Sequence, residues 1–172
     1  MAEDKSASPT LVRDLMSVGV LTCSTDTRIV ELTRVLLEKE LEGAVVLDDQ
    51  GHAVGVVSRD DLVGAYAHGD YESLVAEEVM QDGVPQVPPD IPLPVAAQIM
   101  QDKGARFLFM MHHAGGIEYP AAMLSYSHFL RHLASEDGAD LNDLGIKATR
   151  EPPLESFIKR RDDARSRSGY GE

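Results

Sequence analysis

The sequence predicts an α/β (α+β) protein made of two similar β-α-β-β-α units followed by a C-terminal tail. Three observations carry that prediction. Short apolar runs that suit buried strands alternate with stretches whose apolar residues fall at helical spacing. The order of these segments begins again about 64 residues later. Each round also closes on an apolar run that passes directly into a hydroxyl residue where a helix should start, giving a strand-to-helix corner.

Taken in order, Thr10 to Ser17 forms a short helical lead with an apolar face, and Val18 to Cys23 a strand. Ser24-Thr25-Asp26-Thr27 is a cap cluster, from which Ile29, Leu32, Val35 and Leu36 recur at helical spacing to about Leu41. Its outer face carries Glu31, Arg34, Glu38 and Lys39. Ala44 to Leu47 is a strand, Asp48-Asp49-Gln50-Gly51 a hairpin turn, and Val54 to Val57 the returning strand. A helix from about Asp60 to Ala67 closes the unit.

After a polar link at Gly69 to Ser73 the order repeats. At a shift of 64, Met16, Gly19, Val20, Asp26 and Lys39 meet Met80, Gly83, Val84, Asp90 and Lys103. Past the hairpin the shift becomes 67, so Val57 and Ser58 meet Leu124 and Ser125, and Leu62 meets Phe129. The three extra residues fall in His112 to Glu118, a longer turn between two strands. Element order, caps and an insertion placed at a turn agree on a two-fold internal repeat. The expected division is a disordered 1–9, a first repeat over 10–72, a second over 73–134, and a linker with a C-terminal helix or tail over 135–172. In that tail Leu154 to Arg165 can form a helix, with Pro152-Pro153 ahead of it and Glu155 and Lys159 at a supporting spacing.

Composition narrows the function. The chain has 172 residues, 43% of them hydrophobic, enough for one ordinary core or two small ones packed together. No apolar run approaches the ~18 residues of a membrane helix, and Met1 to Pro9 has no apolar leader, so a cytoplasmic protein with no membrane partner is expected. Cys23 is a lone cysteine in an apolar strand, which fits a core thiol in a reducing compartment. Residues 147–172 carry seven basic and five acidic side chains, a net of +2, which leaves −15 for the first 146 residues of a chain whose total is −13. So acidic a body argues against nucleic acid as a partner, because Lys and Arg contacts to phosphate dominate such binding. An anionic ligand needs a local basic pocket.

The stretch with most chemistry runs Gly55-Val56-Val57-Ser58-Arg59-Asp60-Asp61-Leu62. Ser58 or Asp60 can cap the helix, leaving N–H groups of the first turn to face an anion or a sugar. Other constellations are weaker. His112 and His113 are adjacent, so on a strand they point to opposite faces. His128 and His132 stand at i, i+4, with no cysteine or suitably spaced carboxylate to complete a metal set. Met100, Met110, Met111 and Met123 suit a core, and no nucleophile triad, P-loop or dinucleotide glycine pattern is present.

Two tandem units of this order, opened by Val12-Arg13-Asp14-Leu15-Met16 and closed by Gly, two apolar residues, Ser, any two and Asp, resemble the cystathionine β-synthase (CBS) domain pair, or Bateman module. The likeness covers about residues 10–134 and is strongest in the first repeat. It implies two units packed sheet to sheet about a pseudo-two-fold axis, with clefts that take adenosine-containing ligands and no obligatory cofactor. Carried over by position, Asp61 would accept hydrogen bonds from both ribose hydroxyls and Ser58 would meet the ribose or α-phosphate. The adenine slot would be lined by Thr22, Ala44, Val45 and Val57, with Ala44 in place of a proline common there. Arg59 would help to hold an α-phosphate, and Arg106 would contribute from across the cleft, where the first repeat has Glu42. The second corner, Ala122 to Phe129, keeps Ser125, loses the glycine and carries His128 in place of the carboxylate. An imidazole cannot clamp two hydroxyls as a carboxylate does, so at most one good site is expected, on the Asp61 side.

The resemblance thus implies a non-catalytic regulatory module that binds an adenosyl ligand of the AMP, ADP, ATP or S-adenosylmethionine type and signals to an unknown protein partner, as a homodimer through its helices. The alternative is an interaction scaffold with vestigial clefts and the 135–172 tail as its docking element. An unrecognised enzyme is the third possibility.

Overall fold

The computed structural model describes residues 9–114, 116–135, 158–159 and 161–162. Helix α1 (Val12–Leu15) leads into strands β1 (Ser17–Val18) and β2 (Thr22–Ser24), then α2 (Ile29–Glu38), β3 (Gly43–Leu47), β4 (Ala53–Ser58) and α3 (Arg59–His68). A 3₁₀ turn at Tyr71–Ser73 precedes α4 (Ala76–Val79), β5 (Gln81–Asp82), α5 (Leu93–Lys103), β6 (Phe107–Ala114), β7 (Ile117–Ser125) and α6 (Tyr126–Ala134). The doubled order of elements is as the repeat predicts.

The strand expected over Val18 to Cys23 is in fact two. β1 and β2 belong to different sheets, in orders β1-β7-β6 and β2-β3-β4-β5. The break falls at Gly19, whose φ of +88° a side chain would resist; Gly83, its counterpart in the second repeat, has φ +81°. Each repeat therefore begins on the other repeat's sheet. β1 pairs antiparallel with β7, Val18 opposite Ala122, while β5 pairs with β4, Gly55 opposite Asp82. The short lead helices follow the same exchange. Val12 and Leu15 pack with Leu93, Met100 and Leu124, and Ala76 packs with Leu32, Leu36 and Val57.

Between the sheets lies a shared core of Val20, Val45, Leu47, Val56, Phe107, Phe109, Tyr119, Ala121 and Met123. Strand β3 is buried on both faces, with Val45 and Leu47 towards this core and Ala44 and Val46 towards the helices. That is why its apolar run is unbroken. β2 pairs parallel with β3, but its counterpart in the second repeat shrinks to one bridge between Gln86 and Phe109. Pro85, Pro88 and Pro89 flank that bridge and have no N–H to donate to a ladder.

Helix α2 ends three residues before the expected Leu41, where Glu40 takes a left-handed φ of +53° and the Leu41 N–H donates back to the Leu36 carbonyl at 2.8 Å. In the tail, the described residues 158, 159, 161 and 162 are helical, and the side chain of Arg161 lies over Gly51 at the β3–β4 turn. The rest of the helix expected over Leu154 to Arg165, like the N-terminal segment 1–8, lies outside the described residues. No described helix is long and apolar enough to cross a membrane.

Candidate functional site

Strand β4 hands directly to α3 at Ser58, whose extended backbone makes it the N-cap. The Asp61 N–H donates to Ser58 Oγ at 3.2 Å. In return the Ser58 N–H and hydroxyl donate to Asp61 Oδ2 at 2.7 and 2.5 Å, so serine and aspartate close a capping box. The other carboxylate oxygen, Oδ1, accepts from Gln81 Nε2 at 2.9 Å. Gln81 lies on β5, which the second repeat lends to this sheet. The helix N-terminus is less open to an anion than the sequence suggests, since the Arg59 N–H also donates, to the Glu42 carbonyl at 3.0 Å.

Arg106 reaches the same corner from the second repeat. Just ahead of β6, it forms an ion pair with Asp60 and places its guanidinium carbon 5.9 Å from the centre of the Tyr126 ring. Ser58, Asp61, Gln81, Asp82, Arg106, Phe107 and Phe109 then line a cleft of about 50 Å³. Its polar wall comes from both repeats and its floor from the shared core.

The second corner repeats the geometry with different chemistry. The Ser125 N–H donates to His128 Nδ1 at 3.0 Å, which makes Nδ1 an acceptor and leaves the ring proton on Nε2. Ser125 Oγ stands 2.9 Å from the same nitrogen. Burial, and secondarily the nearby Arg131 charge, hold His128 below the usual imidazole range, against the opposing pull of Glu42. Ser125 and His128 are only 2% and 3% exposed, so this corner is sealed, whereas Asp61 is partly exposed.

Of the residues singled out in the sequence, Ser58, Asp61 and Arg106 come together. Arg59 does not join them, because its Nε donates to the Leu41 carbonyl at 2.9 Å and its side chain faces the α2–α3 groove. Ala44, Val45 and Val57 are fully buried, Ala44 and Val57 towards α2 and Val45 between the sheets. Thr22 is half-buried on β2 opposite Val45. None of these four lines the cleft with its side chain. Gln81 and Asp82 escape sequence reasoning because they lie in the second repeat's opening strand, and only the strand exchange brings them beside Asp61. Their alignment with Ser17 and Val18, next to the paired glycines, was the available signal.

The remaining candidates are structural. His112 Nδ1 is 3.3 Å from the Tyr119 hydroxyl, and His113 Nε2 is 3.6 Å from Glu118. Among the described residues no group of three or more His, Cys, Asp or Glu side chains is placed to hold a metal. The Cys23 thiol, half-buried against the core, is pushed up to about 12, first by burial and then by Asp26, which keeps it protonated at neutral pH. On the outside, apolar side chains crowd two helical faces, Leu37, Val63 and Tyr66 on α2–α3, and Leu130 and Leu133 on α6.

Comparison with known proteins agrees with this architecture. The family model of the CBS domain matches residues 12–68 and again 75–135. An uncharacterized protein of Methanocaldococcus jannaschii, MJ1426, is 32% identical over 65 residues, which span 38% of this chain and 39% of that protein. Among solved structures, the CBS domain pair of protein MJ0100, in complex with 5-methylthioadenosine and S-adenosyl-L-methionine, superposes with a TM-score of 0.64 at 19% identity, covering 76% of this chain and 100% of that one. CBSX2 in complex with AMP superposes with a TM-score of 0.56 at 23% identity, covering 72% and 96%. An uncharacterized conserved protein from Pyrococcus horikoshii gives 0.64 at 17% identity, covering 76% and 97%. With two matched repeats spanning most of its length, exchanged opening strands and a shared core between two sheets, the chain belongs to the CBS domain family.

Proposed function

We propose that this chain is a non-catalytic regulatory module that binds one adenosine-containing ligand at the Asp61 corner and passes its occupancy to a partner protein. The observation that carries this reading is the position of Asp61. Its carboxylate sits at the edge of a cleft whose walls come from both repeats, with Gln81 and Arg106 reaching over from the second. A ribose diol exchanging with Gln81 for Asp61 Oδ1 would therefore alter a contact between the two halves, and that is what lets a small ligand bias a conformational balance. The adenosyl ligands of MJ0100 and the AMP of CBSX2 support the ligand class. The two exposed apolar helix faces support a homodimer assembled through them.

A second reading is favoured by one observation. A cleft of about 50 Å³ falls well short of the ~300 Å³ at which small-molecule pockets begin, so the corner must open to admit a nucleoside. A protein interaction scaffold with a closed, vestigial cleft has no need of that opening. Thermal unfolding with adenosine, AMP, ADP, ATP and S-adenosylmethionine distinguishes the two. A ligand at ~100 times its dissociation constant stabilises by about 2.7 kcal/mol, and the Asp61→Ala variant should lose the shift. No shift with any adenosyl compound would leave the scaffold.

A further inference from the structure

We infer, resting on the nucleoside reading of the Asp61 corner, that this cleft selects uncharged or cationic adenosyl compounds, thioethers and sulfoniums, over phosphorylated ones. The charges on its walls carry the inference. Asp61 and Asp82 both face the cleft, and among the described residues the only cation lining it is Arg106. That guanidinium is already committed to the carboxylate of Asp60 and to the face of Tyr126. Arg59, the other cation at the corner, is held on the Leu41 carbonyl outside the cleft. The helix end adds little attraction for a phosphate. Two N–H groups of its first turn are taken by the Glu42 carbonyl and Ser58 Oγ, and Asp60 and Asp61 already answer its dipole.

A phosphate entering here would meet Asp61 and Asp82 without a free cation, inside a body whose total charge is −13. It would have to take Arg106 from Asp60 and leave that carboxylate unanswered. A methylthio group or a sulfonium meets no such opposition. A sulfonium also gains from the two carboxylates, an attraction that salt should weaken because the groups are partly exposed.

The test is calorimetric titration of the full chain with adenosine, 5-methylthioadenosine, S-adenosylmethionine, AMP and ATP, at low and at physiological salt. The expected result is that the first three bind at least tenfold more tightly than AMP, that ATP is weaker still, and that only S-adenosylmethionine weakens as salt rises. Asp60→Asn, which frees Arg106 on an exposed helix end, should raise AMP affinity about fivefold relative to adenosine. AMP or ATP binding as well as the uncharged nucleosides would overturn the selectivity and leave the nucleoside site standing. An AMP-to-adenosine ratio unmoved by Asp60→Asn would overturn it too. Failure of all five compounds to bind would overturn the nucleoside site itself, and the selectivity with it.

Discussion

Arg106 and Asp60 form an ion pair across the junction of the two repeats, and Glu42 and Ser127 make the pseudo-symmetric contact on the other side. In each case a residue just ahead of a central strand meets the second residue of the opposite repeat's closing helix. The first pair is charged and the second is a hydroxyl on a carboxylate. Arg106 and Asp60 are 51% and 55% exposed, so water screens them strongly. A double-mutant cycle with Arg106→Ala and Asp60→Ala, read by urea unfolding, should give a coupling below about 1 kcal/mol that shrinks as salt is raised. A larger, salt-insensitive coupling would mean that the pair is a structural clamp rather than a screened surface pair.

Asp61 serves both the cap of α3 and, on the proposed reading, the ribose. Asp61→Ala should therefore do two separable things. Without ligand it should cost about 1 kcal/mol, the usual loss of a capping side chain, measured by urea midpoint. With adenosyl ligand present the ligand-induced rise in melting temperature should disappear. Ser58→Ala should reproduce the first effect with only partial loss of the second, since it removes the cap but leaves the carboxylate.

Gly55 owes its identity to the strand packed beside it. A Cβ there would stand 2.6 Å from Met80 Sδ and 2.7 Å from the Gln81 carbonyl oxygen, so the glycine makes room for the borrowed strand β5. Gly55→Ala should destabilise by about 1–3 kcal/mol, as overpacking against backbone does. The reverse change at the matching position, Ala122→Gly, should cost no more than about 1 kcal/mol. Chemical denaturation of both variants checks the asymmetry.

These cases show what the sequence could convey. The repeat, the helices and the capped corner at Ser58 were legible because hydrophobic period and cap chemistry are local. The strand exchange was not, because Val18 and Cys23 sit in one apolar run and nothing local tells which sheet each half joins. The site suffered for the same reason. Ser58 and Asp61 share one turn and could be read together, whereas Gln81 and Asp82 reach them only through a pairing with β4. Arg59 is adjacent to Ser58 in sequence, but the first residue of a helix points its side chain where the turn directs it, here to the Leu41 carbonyl. Partner choice across a fold is a tertiary property that periodicity does not encode.

Tyr66 and Leu133 test the proposed assembly. They are 68% and 80% exposed on the α2–α3 and α6 faces, positions where a charge costs the isolated fold little. Sedimentation of the parent chain should show a dimer, and its melting temperature should rise with protein concentration. Tyr66→Glu and Leu133→Glu should each weaken self-association at least tenfold, with helical content unchanged by circular dichroism. A parent that stays monomeric at high concentration would sink the homodimer and leave those faces to another partner.

His128 makes the second corner sensitive to acid. Its ring must stay neutral for Nδ1 to accept the Ser125 N–H, and burial, followed by Arg131, depresses its affinity for a proton below the unfolded value of 6.5, while Glu42 opposes them. The unfolded chain therefore binds the proton more readily than the folded one. Stability from this group is complete above pH 6.5 and is lost as pH falls through the lower folded value, at no more than about 1.4 kcal/mol per pH unit for one proton. The chain has five other histidines, so the comparison must be with a variant. Asparagine can accept the same N–H bond and carries no titrating group. Urea midpoints of the parent and of His128→Asn, taken from pH 8 to pH 5, should run parallel above neutrality and diverge below it, the parent falling faster. Parallel curves throughout would show that His128 has the same proton affinity folded and unfolded, and that the sealed corner is no acid-labile joint.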